Sequence, residues 1–310
     1  MCLIAFALGV SPRWSLVIAA NRDEYWARST SPLALWQTPH GASVLSGRDL
    51  RAGGTWMGAS ASGRVAFLTN VREPDTAGLE ALSKLISRGN LVTRWLEGHD
   101  ATPAAMVEAL QAQASSAGLA YAGFNLVVGD VARGQWHWIF HQRGQSNSTT
   151  RNTERRWSIQ LLPPGVYGLS NAALDTPWPK TTRLKAALTD ALLHADSTST
   201  TTRDDALKGA LWRALGNRTR CTPEALPATG VPLAVEMALS SAFVDFPEHS
   251  YGTRSSTVLL ASACRCASDP WDMLAEERTF AAHSGLSEPC AGSLPITAVT
   301  HTMQWVAPGV

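Results

Sequence analysis

Apolar and polar residues are distributed along this chain in a way that predicts short strands in adjacent pairs, with helices in blocks between them. The first two apolar runs, residues 3–8 and 15–20, flank a Ser-Pro-Arg turn and predict a hairpin buried on both faces. Further short runs predict strands at residues 55–59, 64–69, 123–130, 135–141, 156–161, 166–169, 251–260 and 273–280.

Apolar residues at helical spacing predict helices at 83–96, 103–114, 181–193 and 204–215, and over part of 233–239. Polar, turn-forming composition predicts loops at 29–45 and 143–154 and a linker at 194–202. Because the strands come as hairpins and the helices as blocks, we expect an α+β fold with antiparallel sheets flanked by helices. No linker is long enough to separate two units, so residues 1–310 are expected to form one domain.

The composition narrows the classes of partner. With 45% hydrophobic and 16% charged residues, the chain is typical of a globular protein with a sizeable core. A net charge of +1 gives no basic field, so no nucleic acid partner is expected. The apolar run 2–10 is too short to span a membrane and lacks the flanks of a signal peptide. It is interpreted as a strand, and no membrane span is expected.

Neither the cysteines nor the histidines predict a metal site. The number of cysteines is odd and their spacing is irregular, which is unlike a disulfide framework: Cys2, Cys221, Cys264, Cys266 and Cys290. Free thiols fit a reducing compartment, so a cytoplasmic location is expected. His137 and His141 share one face of a predicted strand without a third ligand at matching spacing, and are interpreted as ordinary strand histidines. The twelve tryptophans are interpreted mainly as core residues, with a pocket for an apolar ligand as the alternative.

Cys2 is the clearest candidate for a catalytic residue. If Met1 is removed, the thiol shares its residue with a free α-amine, whose pKa is about 7.7–8.0. A thiol beside a built-in base is the arrangement of N-terminal nucleophile catalysis. The alternative is a buried structural cysteine, and the position of Cys2 alone does not separate the two.

Several short motifs occur together along the chain. They are Asn21-Arg22-Asp23-Glu24, Gly53-Gly54-Thr55-Trp56, Leu68-Thr69-Asn70, Gly168-Leu169-Ser170-Asn171 with Pro177-Trp178-Pro179-Lys180, and Tyr251-Gly252-Thr253-Arg254-Ser255-Ser256. With these motifs the chain resembles the NRDE family, also called transport and Golgi organization protein 2-like, from Cys2 to about Phe280.

More distantly, the chain resembles the cysteine N-terminal nucleophile hydrolases of the penicillin V acylase and bile salt hydrolase type, which begin with Met-Cys. This resemblance implies a four-layer αββα sandwich, with Asp23 as the catalytic aspartate and Asn70 and Asn171 as oxyanion asparagines. Ala20 stands where those hydrolases carry a catalytic arginine. Arg22 lies two residues further on and would share that face in an extended strand.

The resemblance implies hydrolysis of a linear amide, with Cys2 attacking the carbonyl and its α-amine carrying the proton. Asp23 would orient the amine, and Asn70 and Asn171 would donate to the oxyanion. The alternatives are a salt bridge at a strand end for Asp23 and turn-forming roles for the two asparagines.

Four residues are candidates for binding a small-molecule amide or acyl substrate: Arg22, Arg254, Asn21 and Trp56. For Arg254 the alternative is a paired arginine at the entry of a strand. The hydrolase reaction requires no cofactor.

A different class of function is also open. Eukaryotic members of the NRDE family are linked to haem or lipid handling, so the alternative is a protein that binds haem or an acyl lipid without catalysis. Cys2 would then be an axial haem ligand. A third possibility is a degenerate hydrolase with an interaction role, because one fold hosts many functions.

Overall fold

Two antiparallel sheets of seven strands each form the centre of the molecule. The computed structural model describes residues 2–73, 85–117, 120–142, 156–197, 203–227, 229–263, 271–281 and 297–305.

The strands are β1 (Cys2–Leu8), β2 (Trp14–Tyr25), β3 (Thr30–Gln37), β4 (Ser43–Asp49), β5 (Met57–Ser60), β6 (Arg64–Asn70), β7 (Phe124–Asp130), β8 (Gln135–Gln142), β9 (Arg156–Leu161), β10 (Gly165–Leu169), β11 (Asp245–Phe246), β12 (Tyr251–Ser262), β13 (Trp271–Thr279) and β14 (Thr297–Trp305). The helices are α1 (Gly89–Glu97), α2 (Pro103–Ala117), α3 (Pro179–Ser197), α4 (Arg203–Leu215) and α5 (Leu233–Ala238). The first sheet has the order β10-β1-β2-β12-β13-β14, with the short β11 paired to β12. The second sheet has the order β3-β4-β5-β6-β7-β8-β9.

The inner faces of the sheets pack on each other. Alternate residues of β1, including Ile4 and Phe6, belong to the same buried cluster as Phe67 of β6. The Phe6 and Phe67 rings meet edge to face, with their centroids 4.9 Å apart. Removing such side chains from water contributes about 25 cal/mol for each Å² of apolar surface, so this layer is a main source of stability.

Helices cover the outer faces. The intervening residues of β1, such as Leu3, pack with Leu188 of α3 and Leu211 of α4. On the other side, Leu126 of β7 packs with Leu110 of α2 in a third cluster that also contains residues of α1. The order of layers is therefore helix, sheet, sheet, helix, and the expected αββα sandwich is confirmed.

The expectation of a loop at 29–45 is wrong, because this stretch contains β3 and the start of β4. Pro32 has no N–H for the ladder, and the pairing of β3 with β4 is irregular between Ser31 and Ala34. Leu33 instead donates its N–H to the Glu277 carboxylate (2.7 Å), and its carbonyl accepts from His301 Nε2 (3.0 Å). These two partners of Leu33 lie far away in sequence, where local patterns do not reveal them.

Other differences concern the ends of elements. Helix α1 begins at Gly89, later than the predicted 83–96, and Leu85 forms an isolated bridge with Ala120. Helix α3 continues to Ser197, so the start of the linker predicted at 194–202 is helical. Strand β14 was not predicted. The predicted loop at 143–154 lies outside the described residues.

We predict a pH-dependent loss of stability caused by Glu277, which is 2% exposed and faces the other sheet. Burial raises the pKa of this carboxyl from 4.5 to about 6. Folding therefore favours the protonated form, and this contribution is full below pH 4.5 and lost as the pH rises through about 6. Relative to Glu277→Gln, the wild-type free energy of unfolding should fall by about 2 kcal/mol between pH 4 and pH 7.

Urea unfolding at both pH values measures this difference. Asp272→Asn, at an exposed position of the same strand, is the matched control and should show no such differential. Equal pH dependence of wild type and Glu277→Gln would contradict the assignment.

Candidate active site

A cavity of about 520 Å³ opens where β1 begins and where β2 and β6 end. Its wall also includes residues of the loop 51–56 and the segment 85–89. These two stretches approach closely, since a Cβ on Gly54 would lie 2.5 Å from the carbonyl carbon of Gly89. Thr55 N–H donates to the Gly89 carbonyl at 3.3 Å. Glycine is therefore required at position 54, because a side chain there would collide with the backbone of Gly89.

Cys2 and Arg22 form the centre of this site. They are directly opposite each other in the antiparallel pairing of β1 and β2, and both line the cavity. Cys2 is a free cysteine that is partly exposed and packs against the apolar layer between the sheets. Burial raises the pKa of its thiol, so the thiol is neutral until a base removes its proton.

Arg22 supplies a buried positive charge. Its side chain is 7% exposed, and its guanidinium lies over the Trp56 ring at 4.3 Å from the ring centre. Nη2 is 3.7 Å from the Glu24 carboxylate, whereas the buried Nη1 has no hydrogen-bond partner among the described residues. Ala20 belongs to the layer between the sheets, and Arg22 lies on the same side, as the even offset predicts.

Asp23 lies next to this pair and is 2% exposed. Its Oδ1 accepts a hydrogen bond from Thr253 Oγ1 at 2.7 Å. Burial raises the pKa of the Asp23 carboxyl, and the positive charge of Lys180 is the largest effect that opposes this rise. The positive charge of Lys180 therefore favours the ionised form of Asp23, which burial disfavours.

Lys180 has a role that sequence reasoning missed. It is 5% exposed, and its Nζ donates to the Leu239 carbonyl at 2.9 Å. Burial lowers its pKa, while the Asp23 carboxylate counteracts that fall. A signal was present, because α3 begins at Pro179 and a cation in a first helical turn opposes the helix dipole. Such a lysine indicates a specific negative partner.

Asn70 and Asn171 are neighbours, but only Asn70 is in the cavity wall. The side-chain amide of Asn171 donates to the backbone carbonyl of Asn70 at 2.9 Å. Asn171 is 1% exposed, and its own carbonyl accepts from the Arg72 N–H at 2.7 Å. The structure thus brings the two predicted oxyanion asparagines together. Asn171 contacts the backbone of Asn70 from outside the described cavity wall.

Asn125 is a further buried residue that the sequence did not single out. Its amide donates to Thr69 Oγ1 (3.0 Å) and to the Ala172 carbonyl (2.8 Å). Its Oδ1 accepts from Trp138 Nε1 at 3.0 Å. Asn125 therefore fastens the segment containing Asn171 to the end of β6.

Asn21 does not line the cavity, which corrects the expectation that it binds substrate. It is fully buried on the other face of β2, where its amide donates to the carbonyls of Leu215 (2.9 Å) and Ala242 (2.8 Å). Its Oδ1 accepts from Ser256 Oγ at 2.6 Å. Asn21 holds the sheet to its helical layer.

Arg254 is also outside the described cavity wall, contrary to its predicted contact with substrate. Its Nη1 donates to the carbonyls of Tyr25, Trp26 and Arg28, each at 3.0 Å. It is the extra residue of a bulge, because Thr253 pairs with Asp23 whereas Ser255 pairs with Arg22. The structure shows the paired arginine that was the alternative interpretation.

Several charged residues lie in the rest of the wall. Arg28 lies 2.7 Å from Asp49, and Arg88 donates to the Gly123 carbonyl at 3.1 Å. Arg51 also lines the cavity. The cavity therefore suits a polar or anionic group better than a wholly apolar one.

The two strand histidines lie apart from this site. His141 is fully buried and its Nε2 is 3.2 Å from the Tyr121 carbonyl. Burial lowers the pKa of His137. Neither belongs to a group of three potential metal ligands within the described part of the chain.

The fold is an αββα sandwich of two antiparallel sheets, with a cysteine at the start of a central strand. The chain belongs to the Transport and Golgi organisation 2 family, whose model matches residues 1–267. No helix among the described residues is both long and apolar enough to cross a membrane.

Relatives are found in animals. The human Transport and Golgi organization protein 2 homolog is 32% identical over 273 residues, covering 85% of this chain and 89% of its own. The Drosophila melanogaster Transport and Golgi organization protein 2 is 27% identical over 284 residues, covering 85% and 88%.

Solved structures with a similar fold include penicillin V acylase from Agrobacterium tumefaciens, with 10% identity, coverage of 85% of this chain and 83% of that one, and a TM-score of 0.37. The C2A mutant of conjugated bile acid hydrolase from Clostridium perfringens has 8% identity, coverage of 86% and 89%, and a TM-score of 0.42.

We predict that Asn21→Ala lowers the free energy of unfolding by at least about 2 kcal/mol, because it leaves two buried carbonyls and a buried hydroxyl without their partner. Denaturant unfolding measures the loss. Asn90→Ala, at an exposed position of α1 outside the described wall of the 520 Å³ cavity, should change stability by less than about 0.5 kcal/mol. Unchanged stability of Asn21→Ala, with impaired ligand binding, would restore the substrate-binding interpretation.

Proposed function

We propose that this chain is an N-terminal cysteine amidohydrolase that cleaves a linear amide after removal of Met1. The observation that carries the proposal is the cross-strand pair of Cys2 and Arg22, which faces a cavity beside the buried carboxylate of Asp23. A nucleophile, a fixed positive charge and a carboxylate within one cavity wall are the parts that acyl transfer requires.

The first step transfers the thiol proton of Cys2 to its own α-amine. Because burial raises the thiol pKa, little thiolate forms without a base at hand. A free α-amine has a pKa of about 7.7–8.0 and supplies that base, which explains why Met1 removal is required. Asp23, supported by Lys180, orients the ammonium that results.

The thiolate then attacks the amide carbonyl, and the side-chain amide of Asn70 donates to the oxyanion. Asn171 holds the backbone of Asn70 and acts as a positioning residue. Arg22 takes the electrostatic role of the arginine that Ala20 replaces, with Trp56 supporting its guanidinium. The C–N bond breaks, the amine leaves with the proton from the ammonium, and water hydrolyses the thioester.

Haem or acyl-lipid binding has less support from this cavity. Trp56 is the one tryptophan among its described wall residues, and charged groups outnumber the aliphatic ones. Other tryptophans, such as Trp14, Trp95 and Trp136, are buried in the apolar clusters. Core filling therefore accounts for them.

We predict that the purified protein has lost Met1 and takes up one equivalent of an acyl chloromethyl ketone at Cys2. Intact mass measures both changes in a single spectrum. Labelling should disappear in Cys2→Ala and persist in Cys221→Ala, whose buried free thiol is the matched control. Retained Met1, or labelling that persists in Cys2→Ala, would contradict the mechanism and turn attention to haem and lipid binding.

We further predict that Arg22→Met lowers kcat by roughly a hundredfold on an N-acyl p-nitroanilide that the wild type cleaves, since one positive group at the reacting oxygen is lost. Arg51→Met removes a charge from the same wall at an exposed position and should stay within about threefold. Steady-state kinetics of both variants test this. Similar losses in both would assign the effect to the general field of the cavity.

A further inference from the structure

A second cluster of chemically capable side chains lies outside the candidate active site. His40, Glu97 and His99 each place a potential ligand atom within 4.8 Å of the others. His99 Nε2 is 3.0 Å from Glu97 Oε2, and the rings of His40 and His99 meet edge to face with centroids 4.8 Å apart. All three residues line a cavity of about 400 Å³.

Local backbone geometry fixes the three residues. His40 lies in the turn between β3 and β4, which is closed by hydrogen bonds of 2.9 Å from Thr38 N–H to the Ala42 carbonyl and from Gly41 N–H to the Thr38 carbonyl. Gly98 follows α1 with a φ of +79°, so the chain reverses between Glu97 and His99. This reversal holds the two side chains side by side.

The two arginines near the cluster, Arg94 and Arg48, have partners other than Glu97. The Glu97 side chain is 7% exposed, and His99 is its partner among the described ion pairs. The nearby Arg94 is occupied by Asp100 through contacts of 2.6 and 2.8 Å. Arg48, in the same cavity, lies over the Trp36 ring and donates to the Gly53 carbonyl. A buried carboxylate thus faces two imidazoles.

We propose that His40, Glu97 and His99 bind a divalent transition-metal ion of the zinc class. Imidazole nitrogen with one carboxylate suits Zn²⁺, whereas Ca²⁺ and Mg²⁺ take oxygen ligands. Tetrahedral bonds of about 2.0–2.1 Å set ligand atoms about 3.4 Å apart, so a small rotation of the exposed His40 and His99 rings closes the site. The ion replaces the contact between His99 and Glu97, and water completes its coordination.

The ion would link the second sheet to helix α1, which packs on it. It fixes the β3–β4 turn to the C-terminal end of α1, whose N-terminal Gly89 contacts the loop of the candidate active site. Binding of the ion does not depend on Cys2 or on the proposed hydrolysis. The site is therefore testable whether or not the chain is an enzyme.

Equilibrium dialysis of the full-length protein against Zn²⁺, followed by metal analysis, tests the proposal. Cysteines are first alkylated so that thiols do not contribute. We expect one Zn²⁺ per chain, with the dissociation constant raised more than about tenfold in His40→Ala, His99→Ala and Glu97→Gln. His249→Ala removes an exposed histidine elsewhere and should stay within about twofold of wild type.

Hydrogen exchange gives a second readout that needs no activity. Zn²⁺ should slow exchange in residues 38–42 and at the end of α1 in wild type, and not in His40→Ala. Circular dichroism confirms that each variant is folded. Absence of stoichiometric Zn²⁺ binding, or binding unchanged in folded His40→Ala and His99→Ala, would overturn the proposal.

Discussion

The two-residue alternation of side chains along β2 is the constraint from which the rest of the site follows. Ile18, Ala20 and Arg22 face the other sheet, whereas Ala19 and Asn21 face the helices. From Leu16 to Ala20 both sets are apolar. At the end of the strand, the same alternation places the guanidinium of Arg22 on one side and the carboxamide of Asn21 on the other.

Polar groups inside this sandwich act as connectors between layers. Asn21 joins the first sheet to its helices, and Asn125 joins the second sheet to the segment that follows β10. Glu277 reaches from one sheet to the backbone of the other. Each of them satisfies buried backbone groups that a purely apolar core would leave unpaired. These hydrogen bonds link the strand ends around the candidate site to the neighbouring layers.

Local sequence patterns predicted much of the fold and part of the site. The hairpin of β1 and β2, the pair β5 and β6, and helices α2 and α4 follow from apolar periodicity, which depends only on nearby residues. Strand β3 was not predicted, because Pro32 interrupts its pairing with β4 and Leu33 bonds to a residue distant in sequence. The face on which Arg22 lies was predictable from its even offset of two residues from Ala20. The roles of Lys180 and Asn125 depend on contacts across the fold, which spacing does not encode.

The bulge at Arg254 gives the motif around it a fixed length. Thr253 lies opposite Asp23 and donates to its carboxyl group, and two positions later Ser255 lies opposite Arg22. In a regular strand Thr253 and Ser255 would pair with residues two positions apart, whereas Asp23 and Arg22 are adjacent. The one extra residue therefore shifts the register of the pairing by one. Substitutions within this segment alter single contacts. A deletion or duplication of one residue would exchange the inner and outer faces along the rest of β12, so the count of residues here is more constrained than their identity.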